Sequence, residues 1–546
     1  MRRVLGIRSA VAALLFAAGS IGAQATRPYR PAFDVQDYEF TIELPDSGAT
    51  IRGSATLRLR RTARGDSLVL DLLDLPVTRV ALDGKTARFS PVAGGIAIPI
   101  PKALTGQFEV TVDYGGTVVD GLIARHDSAG RWTYFGDNWP NRARHWIPSI
   151  DHPSDKATVS WRVIAPPTQT VVANGKLVST RDVSGRDGSP KKEWIWREGR
   201  PIPPYLMVIA AAPLVAYDLG DTDCGLAEMQ RCVPQTVYTA PEQKSFSPGP
   251  FARAGEMVQL FSRLVGPFPY EKLAHLQSST RFGGMENASA IFYADRGFRT
   301  GQMGEGVVAH ETAHQWFGDA VTEREWPHVW LSEGFATYFA ALWTRAARGD
   351  SAFAGDMSSI RKRVLDDQAA VPKRPVIDTI ETELLSLLNR NSYEKGGFVL
   401  HMLKNEIGER AFFDALRAYY AAHKHSTALT DDLRLAMEHE AKRPLGWFFD
   451  QWLKRPGYPD VTATWTYDAA AREVTINATQ SSTFGNFQFP LTVAVVDSSG
   501  VAHRATLAMT SNGAAVQARL PLATSPKSVT LDPDVVLLAR MRVVTP

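Results

Sequence analysis

The chain has 546 residues, 44% of them hydrophobic and 21% charged, which is normal for soluble globular protein but too long for one ordinary core. Several domains are therefore expected. A net charge of +3 is small for this length and gives no case for nucleic acid or an acidic membrane surface as a partner.

The first 25 residues read as a secretory signal peptide. Met1-Arg2-Arg3 and Arg8 supply the basic start, Ala10 to Ala18 the apolar run, and Ala23-Gln24-Ala25 a small-x-small cleavage signal. The mature chain is then expected to begin near Thr26 and to be exported, periplasmic or secreted. No later run is long and uncharged enough for a stable membrane span. Residues 26–215 are expected to form an all-β domain. Tyr38 to Leu44 and Ala55 to Arg60 alternate with period 2, and Ser67–Leu70, Phe108–Val112, Thr158–Ile164 and Val171–Leu177 continue the pattern between Gly, Pro and Asp. Cys224 and Cys232 are the only cysteines. In an exported protein a pair this close is expected to form one disulfide, with two free thiols as the alternative in a reducing compartment.

The chemistry is concentrated in residues 216–457. Gly283-Gly284-Met285-Glu286-Asn287 precedes a strand-like Ser289–Tyr293. Then comes His310-Glu311-Thr312-Ala313-His314, an H-E-x-x-H sequence. On a helix, positions four apart share a face, so His310 and His314 point two imidazoles at one metal and Glu311 reaches a water beside it. Gly318 suits a helix stop. Trp330-Leu331-Ser332-Glu333 supplies Glu333, a carboxylate on a following helix, as third ligand. Two histidines and a glutamate leave one position open, as a catalytic zinc requires. Helical periodicity follows over Glu333–Arg348, Gly396–Ile407, Ala411–His423 and Asp431–Ala441, with Thr430 expected as the N-cap of the last. Residues 350–392 are less regular, and Arg361-Lys362-Arg363 reads there as a solvated face. From Val461 the period returns to 2 through Val461–Tyr467, Val474–Ala478, Phe489–Val496, Ala505–Met509 and Val529–Leu531, which predicts a C-terminal β-sandwich over 458–546.

These motifs resemble the M1 aminopeptidases, gluzincins of the thermolysin type. The eighteen residues between His314 and Glu333, the G-x-M-E-N sequence at 283–287, Tyr393-Glu394-Lys395-Gly396, and Phe448 to Trp452 with Pro456-Gly457-Tyr458-Pro459 carry the likeness. The resemblance implies a multidomain α+β architecture: an N-terminal all-β domain, a thermolysin-like catalytic domain and the C-terminal β-sandwich, without the large C-terminal helical domain of many members. It implies one zinc per chain on His310, His314 and Glu333, with Glu311 as general base and Tyr393 as hydrogen-bond donor to the oxyanion. Gly283, Gly284, Met285, Glu286 and Asn287 would bind the substrate, Glu286 pairing with its protonated N-terminus and Met285 lining the first side-chain pocket.

One segment departs from the family pattern. The family's second amine contact, a Gln or Glu, falls on Trp139 here. Asp137 or Asn138 is expected to substitute, while Trp139 and Trp146 read equally well as interface packing. The leukotriene hydrolase of the family also opens an epoxide, with an aspartate and a tyrosine at positions occupied here by Leu385 and Leu388, so that activity is not expected. The leading expectation is a zinc aminopeptidase acting on peptides with a free N-terminus. A zinc endopeptidase and an inert peptide-binding protein are the alternatives; Glu311 and Tyr393 have no use in the last.

Overall fold

The computed structural model describes residues 32–222, 233–243, 249–481 and 483–544. The leader expected over residues 1–25 and the Cys224–Cys232 pair lie outside the described residues.

The N-terminal part is β apart from the short helical turns Ala143–His145 and Pro204–Leu206. Its largest sheet runs, edge to edge, Lys176–Ser184, Pro190–Ile202, Ala157–Ala165, Phe33–Glu43, Thr50–Arg61, Gln107–Thr117, Val77–Leu82 and Lys85–Thr86. Phe33–Glu43 pairs with Thr50–Arg61 antiparallel and with Ala157–Ala165 parallel. The period-2 pattern has a direct physical result: Tyr38, Phe40 and Ile42 are all buried, as are Leu57 and Leu59 on the neighbouring strand, opposite Tyr38 and Val35. Val171–Leu177 is not one strand. It breaks at Asn174-Gly175 into Thr170–Ala173 and Lys176–Ser184, which join different sheets. Gly175 has φ of 73°, and a Cβ there would meet the Arg197 carbonyl oxygen, so the chain turns where only glycine fits.

A second sheet holds Thr170–Ala173, Ile209–Ala212, Trp132–Gly136 and Leu122–His126. Sheet membership then changes. Val215–Thr222 belongs with Val233–Thr239, Leu273–Ser278, Ala290–Ala294 and the two-residue edge strand Gly284–Met285. Helices follow. The motif helix is Glu305–His314, and Gly318 lies four residues past its last turn rather than at its cap. The Glu333 helix is Trp330–Arg348. The stretch expected to be irregular opens with a helix of 17 residues, Asp350–Asp366. Its basic cluster is not simply a solvated face: Arg361 pairs with the buried Asp532 at 2.7 Å and Arg363 with Glu394 at 3.0 Å. Thr430 is the first residue of helix Thr430–Ala441, not its cap. Its hydroxyl accepts from Trp330 Nε1 at 2.9 Å, and the Asp432 carboxylate takes the Leu429 N–H.

The C-terminal part is a sandwich of a four-stranded sheet (Val516–Pro521, Glu473–Ser481, Asp460–Asp468, Arg540–Val544) and a three-stranded one (Ala502–Met509, Phe489–Val496, Ser528–Leu531). Val461, Ile476, Leu491 and Val493 are buried in its core. Among the described residues there is no large C-terminal helical domain, and no helix is long and apolar enough to cross a membrane.

Candidate active site

The second half of the motif helix is buried nearly all round, at Val308, Ala309, Glu311, Thr312, Ala313 and His314. Packing on all sides fixes its rotation, and with it the direction of both imidazoles. His310 Nε2 and His314 Nε2 lie 3.1 Å apart. Glu333 Oε2 lies 3.3 Å from each of them. Donors about 2.1 Å from a tetrahedral zinc lie about 3.4 Å from one another, so the three atoms have the spacing of a ligand set. Glu333 Oε2 is buried and receives no hydrogen bond. Two lone-pair nitrogens and an unpaired carboxylate oxygen repel unless a cation sits among them, and this donor set suits zinc.

The neighbours of the set fix its orientation. His314 Nδ1 lies 3.1 Å from the Phe317 carbonyl oxygen and 3.0 Å from Ser332 Oγ, so Nδ1 carries the proton and Nε2 is left with its lone pair. Gly318, at φ of 114°, makes this possible; a Cβ there would meet Ser332 Oγ at 2.3 Å. Tyr393 stacks on His310, ring centroids 6.0 Å apart, and its hydroxyl donates to Glu333 Oε1 at 2.8 Å. Burial, with the Glu333 charge adding to it, holds the Tyr393 phenol well above its usual range and therefore protonated. Tyr393 lies in a π-helical turn, Asn391–Lys395, that leads into helix Gly396–Ile407. From the N-terminal β part, Lys156 Nζ reaches across to donate to the carbonyls of Asp319 (2.8 Å) and Ala320 (2.9 Å), just beyond the motif.

The edge strand Gly284–Met285 passes directly over Glu311. A Cβ on Gly284 would meet Glu311 Oε1 at 2.1 Å, so glycine is needed for the base to lie against the strand. Burial raises the Glu311 carboxyl well above its usual range, opposed by His314 and reinforced by the charges of Glu286 and Glu333. Glu286 is also buried, and burial raises it to about 7, with His314 pulling the other way. Among the described residues no Lys or Arg pairs with it, which leaves its carboxylate open to a cation from outside. Gln315, not identified from sequence, holds this segment: its side chain donates to the Glu286 carbonyl at 2.8 Å and accepts from Ser289 N–H at 2.8 Å.

A cavity of about 190 Å³ brings together Trp139, Phe282, Gly283, Gly284, Met285, Glu286, both histidines, Glu311, Glu333, Leu388 and Tyr393. Two of the expected substrate contacts are elsewhere. Asp137 is fully buried and faces Arg142 at 3.0 Å and Arg281 at 3.3 Å, so its charge is spent inside the protein. Asn287 is fully buried in the turn before Ala290–Ala294, where its carbonyl accepts from Ala290 N–H. Asn138 is also structural: its amide donates to the Pro204 and Met207 carbonyls and accepts from Trp146 Nε1. No spacing rule separates such partners from a substrate contact, since Arg281, Pro204 and Met207 lie 144, 66 and 69 residues along the chain.

The peptidase family M1 domain matches residues 253–452, and the peptidase M1 N-terminal domain matches residues 35–206. The chain belongs to peptidase family M1. This M1 chain is 28% identical over 390 residues to glutamyl aminopeptidase of Bos taurus, covering 66% of itself and 38% of that protein. It is 25% identical over 466 residues to aminopeptidase N of Lactococcus lactis subsp. lactis, covering 79% of itself and 52% of the relative. It thus spans about half the length, or less, of these curated relatives. Among solved structures, a mutant M1 zinc metallopeptidase of Deinococcus radiodurans bound to a Tyr-Ser-Ala substrate superposes with a TM-score of 0.67 at 25% identity, over 78% of this chain and 94% of that one. Legionella pneumophila aminopeptidase A shares the fold at a TM-score of 0.77 and 18% identity, over 94% of this chain and 60% of its own.

Proposed function

We propose that this M1 protein is a zinc-dependent aminopeptidase that removes the first residue of peptides. One observation carries the reading: Glu286, a buried carboxyl with which no lysine or arginine among the described residues pairs, opens into the same small cavity as His310, His314 and Glu333. A carboxylate there pairs with a protonated N-terminus and leaves the first peptide carbonyl at the ligand set.

His310, His314 and Glu333 would hold one zinc per chain. Bound zinc polarises a scissile carbonyl and eases deprotonation of water. Glu311, against Gly284, accepts the proton of the attacking water and returns it to the leaving amine. The Tyr393 hydroxyl, protonated and next to the ligand set, would turn its one O–H from Glu333 Oε1 to the developing oxyanion. Gly283 and Gly284 offer the edge of a sheet to the extended substrate backbone, and Met285 is part of the wall beside Glu286.

The test compares free-amine and N-acetylated peptides on zinc-loaded protein, with and without chelator. Chelator should abolish turnover, and the acetylated peptide should be a poor substrate. Glu286→Ala should lose about 2–5 kcal/mol of transition-state binding for the free-amine peptide and much less for the blocked one. A free-amine to acetylated rate ratio in that variant unchanged from wild type would replace this reading by an endopeptidase. The N-terminal segment further supports export with cleavage near Thr26 and a Cys224–Cys232 disulfide. Sequencing the N-terminus of exported material, and alkylation before and after reduction, check both.

A further inference from the structure

We infer that Trp139 closes the wall against which the side chain of the first substrate residue packs, so that the enzyme selects neutral, apolar first residues of small to medium size. This rests on the aminopeptidase reading above. Glu286 decides which cavity holds that residue. It lines the cavity of about 190 Å³ and not the neighbouring one of about 450 Å³, although both reach His310, Glu311 and Tyr393. The amine end therefore lies in the smaller cavity, and the leaving peptide extends into the larger.

Apart from the ligands and Glu311, Glu286 and Tyr393, the smaller cavity is walled by Trp139, Phe282, Met285 and Leu388 with two glycines. Among the described residues no lysine or arginine reaches it. Its three carboxylates each have a task, and Asp137, which would have been a fourth, faces Arg142 and Arg281 instead. An acidic side chain would find no cation there and a basic one no spare carboxylate. Each would be desolvated without a partner, which binding strongly disfavours. An apolar side chain loses nothing on entering.

The size limit follows from how Trp139 is held. Its ring meets Trp326 and Phe282 edge-on, at 5.4 and 6.2 Å between centroids, and it is 2% exposed. Its carbonyl accepts from Arg142 Nε at 2.8 Å, and Arg142 is itself buried and tied to Asp120 at 2.8 Å. A wall fixed at both ring and backbone does not swing aside. About 190 Å³ must take the amino group, the carbonyl and the side chain together, which suits an aliphatic side chain and not an indole.

The experiment measures kcat/KM of the zinc-loaded enzyme on alanyl, leucyl, phenylalanyl, tryptophanyl, glutamyl and arginyl arylamides. Alanyl or leucyl should lead, with glutamyl, arginyl and tryptophanyl at least about tenfold behind. Trp139→Ala should raise the tryptophanyl-to-alanyl ratio by about tenfold or more, and Leu388→Ala, at a half-buried position, should shift it in the same direction. A glutamyl or arginyl substrate in the lead overturns the inference, as does an unchanged ratio in both variants. If Trp139→Ala does not fold, the wild-type ranking and Leu388→Ala decide. Turnover with the wrong ranking removes this inference alone; no turnover of any free-amine arylamide removes the aminopeptidase reading and this inference with it.

Discussion

Ser332 stands beside Glu333 on the same helix, and its hydroxyl reaches the Nδ1 of His314 at 3.0 Å, sharing that nitrogen with the Phe317 carbonyl. It touches no substrate, but it fixes the ring that must present Nε2. Ser332→Ala should weaken zinc affinity about 10–100-fold, measured by competition with a chelator, while leaving the fold intact. The ligands themselves should behave differently. His310→Ala, His314→Ala or Glu333→Ala should lose metal and activity together, whereas Glu311→Gln should keep stoichiometric zinc and lose turnover. Tyr393→Phe should lower kcat by about 10²–10³ with little change in KM, since a transition-state donor is removed and no ground-state contact. Zinc analysis alongside kinetics separates these outcomes; full zinc in His310→Ala would refute the ligand set. The grouping of His310, His314 and Glu333 was legible in the sequence because helical geometry turns the spacing of the two histidines into a shared face. Ser332 and Gln315 were not, because nothing local marks a serine or glutamine that bonds to a different segment.

At the scale of elements, the site depends on one close approach. Helix Trp330–Arg348 carries Glu333, and the turn Asn391–Lys395 carries Tyr393 into helix Gly396–Ile407. These two helices meet glycine to glycine: a Cβ on Gly334 would lie 2.9 Å from the Gly396 carbonyl carbon and 3.2 Å from the Gly397 nitrogen. Those atoms are backbone and cannot rotate away. Gly334→Ala should therefore cost about 1–3 kcal/mol in stability, read from the urea midpoint. It should also lower kcat, because the helices part where Tyr393 meets Glu333. An alanine variant with unchanged midpoint and unchanged kcat would show that this contact does not hold the pair. Elements with a strong period were readable from sequence, as in Phe33–Glu43 or Asp460–Asp468. The helix Asp350–Asp366 was passed over although its buried Phe353, Met357, Ile360 and Val364 recur at helical spacing, because the basic run Arg361-Lys362-Arg363 drew the reading to a solvated face. Thr430 misled for a related reason: a threonine before a helix usually caps it, but here Trp330 and His328 claim the hydroxyl.

At the scale of the whole molecule, the C-terminal sandwich is clamped to the helical part. Gln451 donates to the Gln488 carbonyl and accepts the Gln488 N–H, at 2.8 and 2.9 Å. Trp452 packs on Phe487, and Arg455 lies over the same ring at 4.4 Å. His401, on helix Gly396–Ile407, adds a contact that responds to pH. Its Nε2 lies 3.2 Å from the Val535 carbonyl oxygen, so the neutral ring donates there.

Burial pushes the His401 pKa down to about 4, with Lys404 adding to the shift and the Val535 bond opposing it. In the unfolded chain a histidine titrates near 6.5. Between about 4 and 6.5 the unfolded state therefore holds a proton that the folded state does not, so the stability present above pH 6.5 is lost as pH falls toward 4. The slope from one such group is at most about 1.4 kcal/mol per pH unit. Other groups take up protons on acidification too, so the useful quantity is a difference. Wild type and His401→Gln, each measured by urea unfolding in excess chelator from pH 7 to 4.5, share every other titrating group. The glutamine variant should be the less stable protein at pH 7, having lost a fitted ring, and the gap should narrow on acidification as only the wild type meets the cost of keeping His401 neutral. Curves that run parallel across this range would mean that His401 is neutral in both states or charged in both, and that the clamp between the sandwich and the catalytic helices carries no pH dependence at this residue.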